Sequence, residues 1–267
     1  MSARKEKGGK VIIAQISDLH LGQSLETPSG VLDPLVRLER AIEHLGRVDP
    51  RPDVVLATGD LSNTGAPEDY AALKERLDGF GKPYFVIPGN HDLRDSLRAA
   101  FSDHGYFGPE DPFLHHVIED YPLRLIGLDT FVPDEVGGEM CARRLAWLSD
   151  RLEEAPDRPT LIYMHHPPFA TGMPLFDRIG CRRGDDLGAL IARHGQVEAV
   201  TCGHVHRAIS LRWFGTVIHV APSTFYQYPM EMRDGAGIAP VMEPPACRIF
   251  LWKPAVGLVS HLSYIDS

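Results

Sequence analysis

Short apolar runs recur along the chain and predict the strands of a folded sheet. Each run is five to eight residues long and is rich in β-branched or aromatic side chains, which suits a strand buried on one or both faces. The runs cover residues 11–17, 53–58, 84–88, 123–129, 160–165, 197–202, 216–221, 246–252 and 258–265.

Segments with helical spacing of apolar residues lie between the first of these runs. Residues 33–46 repeat leucine and isoleucine at intervals of three and four, which predicts an amphipathic helix. Asp33 followed by Pro34 is typical of a helix start, because the carboxylate can cap free N–H groups and proline tolerates the first turn. The same pattern predicts further helices over residues 67–79, 141–154 and 185–194.

The order of these elements predicts the fold class. Strands alternate with helices at the start, whereas the last third is a series of strands joined by turns. This order predicts an α/β fold of two packed mixed sheets flanked by helices. We expect one domain over residues 1–267, because no stretch in the middle has the composition of a linker.

Three stretches fit neither pattern and are expected to be loops: residues 22–32, 101–118 and 223–245. A long segment without regular structure is usually functional or disordered. Because residues 223–245 contain tyrosine and methionine, we expect a wall of the site, a lid or a dimer contact there.

Charge and composition narrow the possible partners. The formal net charge is −9, which argues against a nucleic acid polymer or an anionic membrane as the main partner. A phosphate substrate stays possible, since bound cations would reverse the local field. No apolar run approaches the roughly 20 residues of a membrane span, and no signal peptide is recognisable. We expect a cytoplasmic protein whose four cysteines are reduced.

Polar residues follow five of the apolar runs, at the point where each run ends. The carboxyl ends of parallel strands meet at one edge of a sheet, where ligands bind in open α/β folds. Carboxylate, imidazole and carboxamide groups suit divalent first-row metals. The five segments are Asp18-Leu19-His20, Gly59-Asp60, Gly89-Asn90-His91-Asp92, Met164-His165-His166 and Gly203-His204-Val205-His206.

Each segment taken alone has an ordinary structural explanation. Asp60 after a glycine is common in turns, and a histidine at a strand end is often a core residue. The signal lies in the whole set, in which Asp60 could bridge two cations through its two carboxylate oxygens. Asp92 could orient His91 by accepting its second ring proton, as carboxylates behind a site often do.

The complete set resembles the calcineurin-like metallophosphoesterase superfamily. The pattern D-x-H, G-D, G-N-H-[DE], H and G-H-x-H occurs here in order between Asp18 and His206. The runs I-S-D-L-H, I-P-G-N-H-D, M-H-H-P-P and C-G-H-V-H resemble the bacterial class III cyclic nucleotide phosphodiesterases and the glycerophosphodiesterases of the same branch. The resemblance implies a four-layer α/β/β/α sandwich, often dimeric, so we expect a homodimer or higher homo-oligomer.

The resemblance also implies roles for the residues of the motifs. Two divalent ions, Fe, Mn or Zn, would be held by Asp18, His20, Asp60, Asn90, His165, His204 and His206, with Asp60 as the bridge. His91 would contact the phosphate and assist the leaving group, with Asp92 as its catalytic partner. His166 lies outside the ligand pattern and is expected to support the ligands from behind. Expected substrate contacts are Asn63, Asn90, His91 and His206.

These roles predict hydrolysis of a small phosphodiester by attack of a hydroxide that bridges the metals. A 3′,5′-cyclic nucleotide such as cAMP is the first choice of substrate, ahead of a glycerophosphodiester. Phe225, Tyr226 and Tyr228 could stack a nucleobase or equally pack a lid or dimer contact.

Three other function classes stay open. A phosphomonoesterase or protein phosphatase would use the same metal site, with Arg94 and Arg207 holding phosphate. A nuclease is disfavoured by the net charge of −9. A non-enzymatic scaffold is disfavoured because every ligand position of the pattern is filled.

Overall fold

The computed structural model describes residues 9–27, 30–108 and 112–266. Within these ranges the chain forms fifteen β-strands and six α-helices. The strands are β1 Val11–Ile16, β2 Leu25–Thr27, β3 Gly30–Leu32, β4 Val54–Thr58, β5 Tyr84–Ile87, β6 His116–Ile118, β7 Arg124–Gly127, β8 Gly138–Glu139, β9 Thr160–Tyr163, β10 Cys181–Arg182, β11 Val197–Cys202, β12 Ile209–Trp213, β13 Thr216–Val220, β14 Ala246–Lys253 and β15 Gly257–Tyr264. The helices are α1 Pro34–Arg47, α2 Pro67–Phe80, α3 Arg94–Ala100, α4 Ala142–Glu153, α5 Pro174–Arg178 and α6 Gly184–Ile191.

Two large mixed sheets organise the strands. The first has the order β15-β14-β1-β4-β5, and the second has the order β12-β13-β11-β9-β7-β6. In the first sheet β1, β4 and β5 run parallel, while β14 and β15 pair antiparallel. In the second sheet β7, β9, β11 and β13 run parallel, and the edge strands β6 and β12 pair antiparallel.

Alternation of side chains along the strands separates the layers. On β1, Val11 and Ile13 point into a core between the two sheets, whereas Ile12, Ala14 and Ile16 point to the helices. Successive side chains of a strand face opposite sides, so a strand covered on both faces reads as a continuous apolar run. This explains why the parallel strands of the sequence lack an alternating polar pattern.

Helices cover the outer face of each sheet. The core on the first sheet includes Leu38 of α1, Leu73 of α2 and Leu97 of α3. The core on the second includes Leu148 of α4 and Leu187 of α6. The expected four-layer α/β/β/α sandwich of two mixed sheets flanked by helices is therefore confirmed.

The start of α1 follows the expected capping chemistry. The Asp33 carboxylate accepts a hydrogen bond from the Leu35 N–H at 2.8 Å, and Pro34 occupies the first turn. A cap of this kind contributes about 0.5–2 kcal/mol. The proposed helix start is confirmed.

The stretches expected to be loops contain short elements. Residues 22–32 carry the β2–β3 pair, with residues 28 and 29 outside the described ranges, and residues 101–118 carry a 3-10 turn and β6, with residues 109–111 outside. The strand β12 and the helix α3 were not anticipated, because β12 is largely exposed and α3 spans seven residues. Such short pieces carry little periodic signal.

Residues 223–245 contain no helix and no strand longer than an isolated bridge between Gln227 and Val241. Their beginning is buried and their end is largely exposed. Their function as a lid or dimer contact stays a prediction, as does the assignment of one domain to residues 1–267. No helix in the described part of the chain combines the length and apolar composition needed to cross a bilayer.

A core truncation between the sheets tests this layer assignment. Leu56 is fully buried in the core between the sheets, so Leu56→Ala should lower the free energy of unfolding by about 2–5 kcal/mol. Val36 on α1 is 44% exposed, and Val36→Ala should change it by less than about 0.5 kcal/mol. Urea denaturation measures both, and equal small effects would contradict the layer assignment.

Candidate metal centre

The carboxyl ends of five parallel strands, three in one sheet and two in the other, bring the polar segments of the sequence together. Asp18 and His20 follow β1, Asp60 follows β4, and Asn90 and His91 follow β5 in the first sheet. His165 and His166 follow β9, and His204 and His206 follow β11, in the second sheet. The site therefore lies where the edges formed by the carboxyl ends of the strands in the two sheets meet, as expected for strand-end ligands.

One group of donor atoms consists of Asp18, His20 and His206, all buried. The Nε2 atoms of His20 and His206 lie 3.2 Å apart, and His206 Nε2 lies 3.5 Å from Asp18 Oδ1. The three donor atoms lie within 4.8 Å of one another. This spacing suits ligands that surround one cation.

A second group lies beside it. Asp60, Asp18 and His165 also place donor atoms within 4.8 Å of one another, and His165 Nε2 lies 3.4 Å from Asp60 Oδ2. Asp60 Oδ2 is also 3.8 Å from His20 Nε2, so its carboxylate stands between the groups. His204 closes the far side, in a cluster with His165 and His166.

Hydrogen bonds to the other ring nitrogen decide which atom each histidine presents. His206 Nδ1 donates to the Tyr226 carbonyl at 2.8 Å, and His20 Nδ1 donates to the Asn63 amide oxygen at 3.3 Å. Carbonyl oxygens only accept, so the Nε2 atoms of both neutral rings carry lone pairs. Two lone pairs facing each other at 3.2 Å repel unless a cation lies between them.

The titration behaviour of these rings agrees with a ligand role. Burial lowers the pKa of His20 to about 4 and that of His204 to about 3, and it lowers the pKa of His206 well below its usual range. These rings are neutral near pH 7, which is the form that binds metal.

The carboxylates and His165 respond to one another. Burial raises the pKa of Asp18 to about 7, and the charge of Asp60 adds to that effect. Burial acts to lower the pKa of His165, but the adjacent Asp60 carboxylate outweighs it and raises the value to about 9. The negative charge of Asp60 thus favours the protonated, positively charged form of His165.

Some buried side-chain atoms lack hydrogen-bond partners within the described ranges, and four of them belong to candidate ligands. These four are the amide oxygen Oδ1 of Asn90, the ring nitrogen Nε2 of His165 and both ring nitrogens of His204. Buried polar atoms without partners are rare and call for a ligand, an ion or water. Together with carboxylates and imidazoles they form a donor set that fits Mn, Fe or Zn.

Backbone strain is concentrated in this site. Of the eight non-glycine residues with positive φ in the described part of the chain, five are candidate ligands: Asp18 at 55°, His20 at 46°, Asp60 at 49°, His204 at 72° and His206 at 55°. Such conformations cost energy for residues with a Cβ atom and persist only where the surroundings enforce them. These backbone conformations turn the side chains of the candidate ligands toward one point.

Two glycines of the motifs are required by close packing. A Cβ atom at Gly89 would lie 2.9 Å from the Asp60 carboxylate carbon, and one at Gly203 would lie 2.9 Å from Asp18 Oδ2. Both positions lie directly against candidate ligands, so a larger residue would displace a carboxylate.

Known proteins resemble this chain in sequence. The model of the family described as calcineurin-like phosphoesterase matches residues 12–208. The chain belongs to the calcineurin-like phosphoesterase family. It is 35% identical over 256 residues to a probable glycerophosphodiester phosphodiesterase, GpdQ, from Arcobacter nitrofigilis, covering 96% of this chain and 93% of the relative. It is 30% identical over 221 residues to the 3′,5′-cyclic adenosine monophosphate phosphodiesterase CpdA of Escherichia coli K12, covering 82% of this chain and 78% of the relative.

A dimetal phosphatase from Danio rerio has a similar fold. The TM-score is 0.68 at 14% sequence identity, and the match covers 96% of this chain and 99% of that chain. At this identity the likeness concerns the fold alone. The family and its relatives confirm the expected enzyme class, a metal-dependent phosphodiesterase with a divalent metal centre.

In this calcineurin-like phosphoesterase, His91 lies at the rim of the site. Its ring is exposed, its backbone N–H donates to Asp60 Oδ1 at 2.9 Å, and its Nδ1 donates to the Asn63 carbonyl at 2.9 Å. The Nε2 atom is therefore the ring nitrogen left for a substrate. Asn63 holds both His20 and His91, and its own contact with substrate stays a prediction.

The expectation that Asp92 orients His91 is wrong. The Asp92 carboxylate is fully buried and accepts hydrogen bonds from three backbone N–H groups and from the Tyr70 hydroxyl at 2.9 Å. The three groups belong to Leu61 at 3.2 Å, Ser62 at 3.1 Å and Gly89 at 2.8 Å. Asp92 instead joins the loops after β4 and β5. The Asn63 carbonyl, and not the Asp92 carboxylate, accepts the hydrogen bond from the His91 ring.

His166 lies in the cluster with His165 and His204, but both of its ring nitrogens are engaged in hydrogen bonds. Its Nε2 donates to the Val136 carbonyl at 3.1 Å, and its Nδ1 accepts from the Thr130 hydroxyl at 2.8 Å. Its ring lies 4.7 Å from that of His204. Thr130 and the carbonyl partners were missed from sequence, because a backbone oxygen leaves no signal in residue identity.

The aromatic residues of the 223–245 segment pack behind the ligands. Tyr226 is 4% exposed and stacks on His20 with ring centroids 5.5 Å apart, and Phe225 is 1% exposed. Tyr228 lies 4.9 Å from the His206 ring. Tyr226 and Tyr228 thus pack against ligand rings, and Phe225 and Tyr226 have little free face for a nucleobase.

Both arginines considered as phosphate ligands have partners within the protein. Arg94 makes a two-pronged ion pair with the buried carboxylate of Asp129, with Nη2 to Oδ1 at 2.9 Å. Arg207 contacts the Tyr228 carbonyl and lies 3.1 Å from a carboxylate oxygen of Glu243. Neither guanidinium is therefore free to hold a phosphate group in this structure.

A substitution at Gly203 tests the packing of the site. Gly203→Ala should displace Asp18 and reduce the amount of Mn²⁺ bound at saturation, since the added carbon overlaps the Ser17 hydroxyl. Gly195 has open space around its position, so Gly195→Ala is the matched control and should bind as the wild type does. Metal analysis after equilibrium dialysis measures both, and full Mn²⁺ content in Gly203→Ala would refute the packing argument.

The corrected position of Asp92 predicts a stability effect. Asp92→Ala leaves three buried N–H groups without an acceptor and should lower the free energy of unfolding by at least about 3 kcal/mol. His91→Ala removes an exposed side chain and should change it by less than about 0.5 kcal/mol. Chemical denaturation of the metal-free proteins would contradict this reading if the two variants were equally stable.

Proposed function

We propose that this protein is a dinuclear-metal phosphodiesterase that hydrolyses small soluble phosphodiesters. The observation that carries the proposal is the position of Asp60, whose Oδ2 atom lies 3.8 Å from His20 Nε2 and 3.4 Å from His165 Nε2. One carboxylate between two donor groups is the arrangement that two cations require if they are to share a ligand.

We expect the candidate ligands to form two sets that share Asp60, although Asp18 also lies within 4.8 Å of donor atoms in both groups. Asp18, His20 and His206 would hold one ion, and Asn90, His165 and His204 would hold the other, with Asp60 shared. The donor chemistry suits Fe, Mn or Zn. Divalent ions held there would polarise the phosphoryl oxygens and lower the pKa of a coordinated water.

The residues of the chain would then orient the substrate and move a proton. His91 faces the site from the rim with its Nδ1 fixed on the Asn63 carbonyl. In its protonated form the ring donates through Nε2 to a phosphoryl oxygen or to the leaving oxygen. Further substrate contacts by Asn63, Asn90 and His206 remain predictions.

Among small phosphodiesters, two observations favour a glycerophosphodiester over a 3′,5′-cyclic nucleotide. Phe225 and Tyr226 are 1% and 4% exposed, so two of the three rings proposed to stack a base have little free surface, and only the half-buried Tyr228 keeps some. The match to the glycerophosphodiester phosphodiesterase relative also extends over 96% of the chain, against 82% for the cyclic adenosine monophosphate phosphodiesterase. We therefore reverse the order of substrates expected from the sequence.

A phosphomonoesterase or protein phosphatase is the second candidate. Its support was the presence of Arg94 and Arg207 beside the motifs, but these side chains pair with Asp129 and Glu243. A dianionic monoester would therefore bind without the arginine contacts proposed for it. A homo-oligomer stays part of the proposal as expected from the family resemblance.

Steady-state turnover tests the proposal. The Mn²⁺-loaded enzyme should hydrolyse glycerophosphocholine with a higher kcat/KM than cAMP, and an excess of chelator should abolish both activities. A higher kcat/KM for cAMP would restore the cyclic nucleotide assignment. Faster hydrolysis of p-nitrophenyl phosphate than of bis-p-nitrophenyl phosphate would overturn the diesterase proposal.

A variant at His91 separates metal binding from proton transfer. His91→Ala should keep the wild-type metal content and lose about 10²- to 10⁴-fold in kcat. The loss should be larger for glycerophosphocholine than for bis-p-nitrophenyl phosphate, because a good leaving group needs little help from an acid. His261→Ala, an exposed histidine of β15, is the control, and wild-type turnover of glycerophosphocholine by His91→Ala would refute the role.

A further inference from the structure

A polar side chain interrupts the apolar layer between the two sheets. On β1, Val11 and Ile13 face this layer, and the next residue with the same orientation is Gln15, which is fully buried. Burying an amide costs free energy unless its hydrogen bonds are made. An apolar residue would fill the same space without that requirement.

Every polar atom of the Gln15 side chain is used in a contact across strands. Its Nε2 donates to the Thr58 hydroxyl at 2.9 Å and to the Cys202 carbonyl at 3.0 Å. Its Oε1 accepts from the Thr201 hydroxyl at 2.6 Å. One amide thus joins β1 and β4 of the first sheet to β11 of the second.

Gln15 and the residues bonded to it lie close to candidate ligands. Gln15 precedes Asp18 by three residues on the same strand end, and Cys202 is followed by Gly203 and His204. The Thr58 carbonyl accepts a hydrogen bond from His165 Nδ1 at 2.8 Å. The strands β1, β4, β9 and β11, which carry all candidate ligands except Asn90, therefore meet in buried hydrogen bonds around Gln15 and Thr58.

We propose that Gln15 is a positioning residue that sets the distance between the ligands of the two sheets. Asp18, His20 and Asp60 come from the first sheet, and His165, His204 and His206 come from the second. Apolar side chains allow two packed sheets to slide by small amounts, whereas the two hydrogen bonds from Gln15 to Thr201 and Cys202 of the second sheet resist such sliding. This inference rests on the dinuclear centre proposed above.

Binding of Mn²⁺ to a variant tests the proposal without relying on activity. Gln15→Met keeps the length of the side chain and removes its hydrogen bonds. Its affinity for Mn²⁺ should fall about 10- to 100-fold, the range seen when partners of metal ligands are lost. The electron paramagnetic resonance spectrum should change from that of a coupled Mn²⁺ pair toward that of separate ions, because the spacing of the pair is no longer fixed.

A second variant keeps the test sharp if Gln15→Met does not fold. Thr201→Val removes one hydroxyl from the network with little change in shape and should weaken Mn²⁺ binding by several-fold. Thr216→Val is the matched control, because Thr216 is another buried threonine of the second sheet whose hydroxyl bonds to Val197 and Glu198 carbonyls at 3.0 and 3.1 Å. It lies at the amino end of β13 and should keep the wild-type Mn²⁺ affinity and spectrum.

The outcomes separate this inference from the proposed function. Wild-type protein that binds two Mn²⁺ ions, with folded Gln15→Met and Thr201→Val matching it in affinity and spectrum, would overturn the positioning role alone. Equal weakening in Thr216→Val would also overturn it, since any buried change would then act. Wild-type protein that binds fewer than two Mn²⁺ ions would overturn the dinuclear centre and the inference with it.

Discussion

The carboxylate of Asp60 faces nitrogen donors from both sheets, His20 at 3.8 Å and His165 at 3.4 Å. Through these two contacts, side chains from both sheets form one site. A buried carboxylate is costly unless positive charge balances it, and raising the pKa of His165 to about 9 is one response to that charge. In the proposed metal centre, divalent cations would balance it more fully.

The rest of the structure supports this concentration of polar atoms. Five candidate ligands adopt positive φ, and glycines lie where carboxylates approach the backbone. Asp92 gathers three N–H groups and so holds the loops after β4 and β5 together. Strain of this kind persists at a functional site because many contacts elsewhere enforce the local conformation.

Much of the fold was predictable because its signals are local. The strands β1, β4 and β9 are short, mostly apolar runs, and α1 begins at Asp33-Pro34 as the capping chemistry predicts. Short or exposed elements such as α3 and β12 were missed, since seven or five residues carry little periodic pattern. The candidate ligands could be named because each follows a recognisable run, and parallel strands carry their carboxyl ends to one edge.

The partners of those residues could not be named in the same way. Asp92 was paired with His91 because the two are neighbours in sequence, yet its carboxylate turns to the loop after β4 and to Tyr70. The direction of a side chain in a turn depends on φ and ψ, and residue identity constrains these weakly.

The sequence by itself determined the fold class, the family and the set of candidate ligands, because strand periodicity and the motifs depend on residues that are close together in sequence. Only the tertiary structure decided which nitrogen each histidine presents, which carbonyl holds it and how Gln15 joins the two sheets. These features depend on contacts between residues as far apart as Gln15 and Cys202, and on backbone oxygens that every residue has alike. Their geometry exists only once the two sheets have packed.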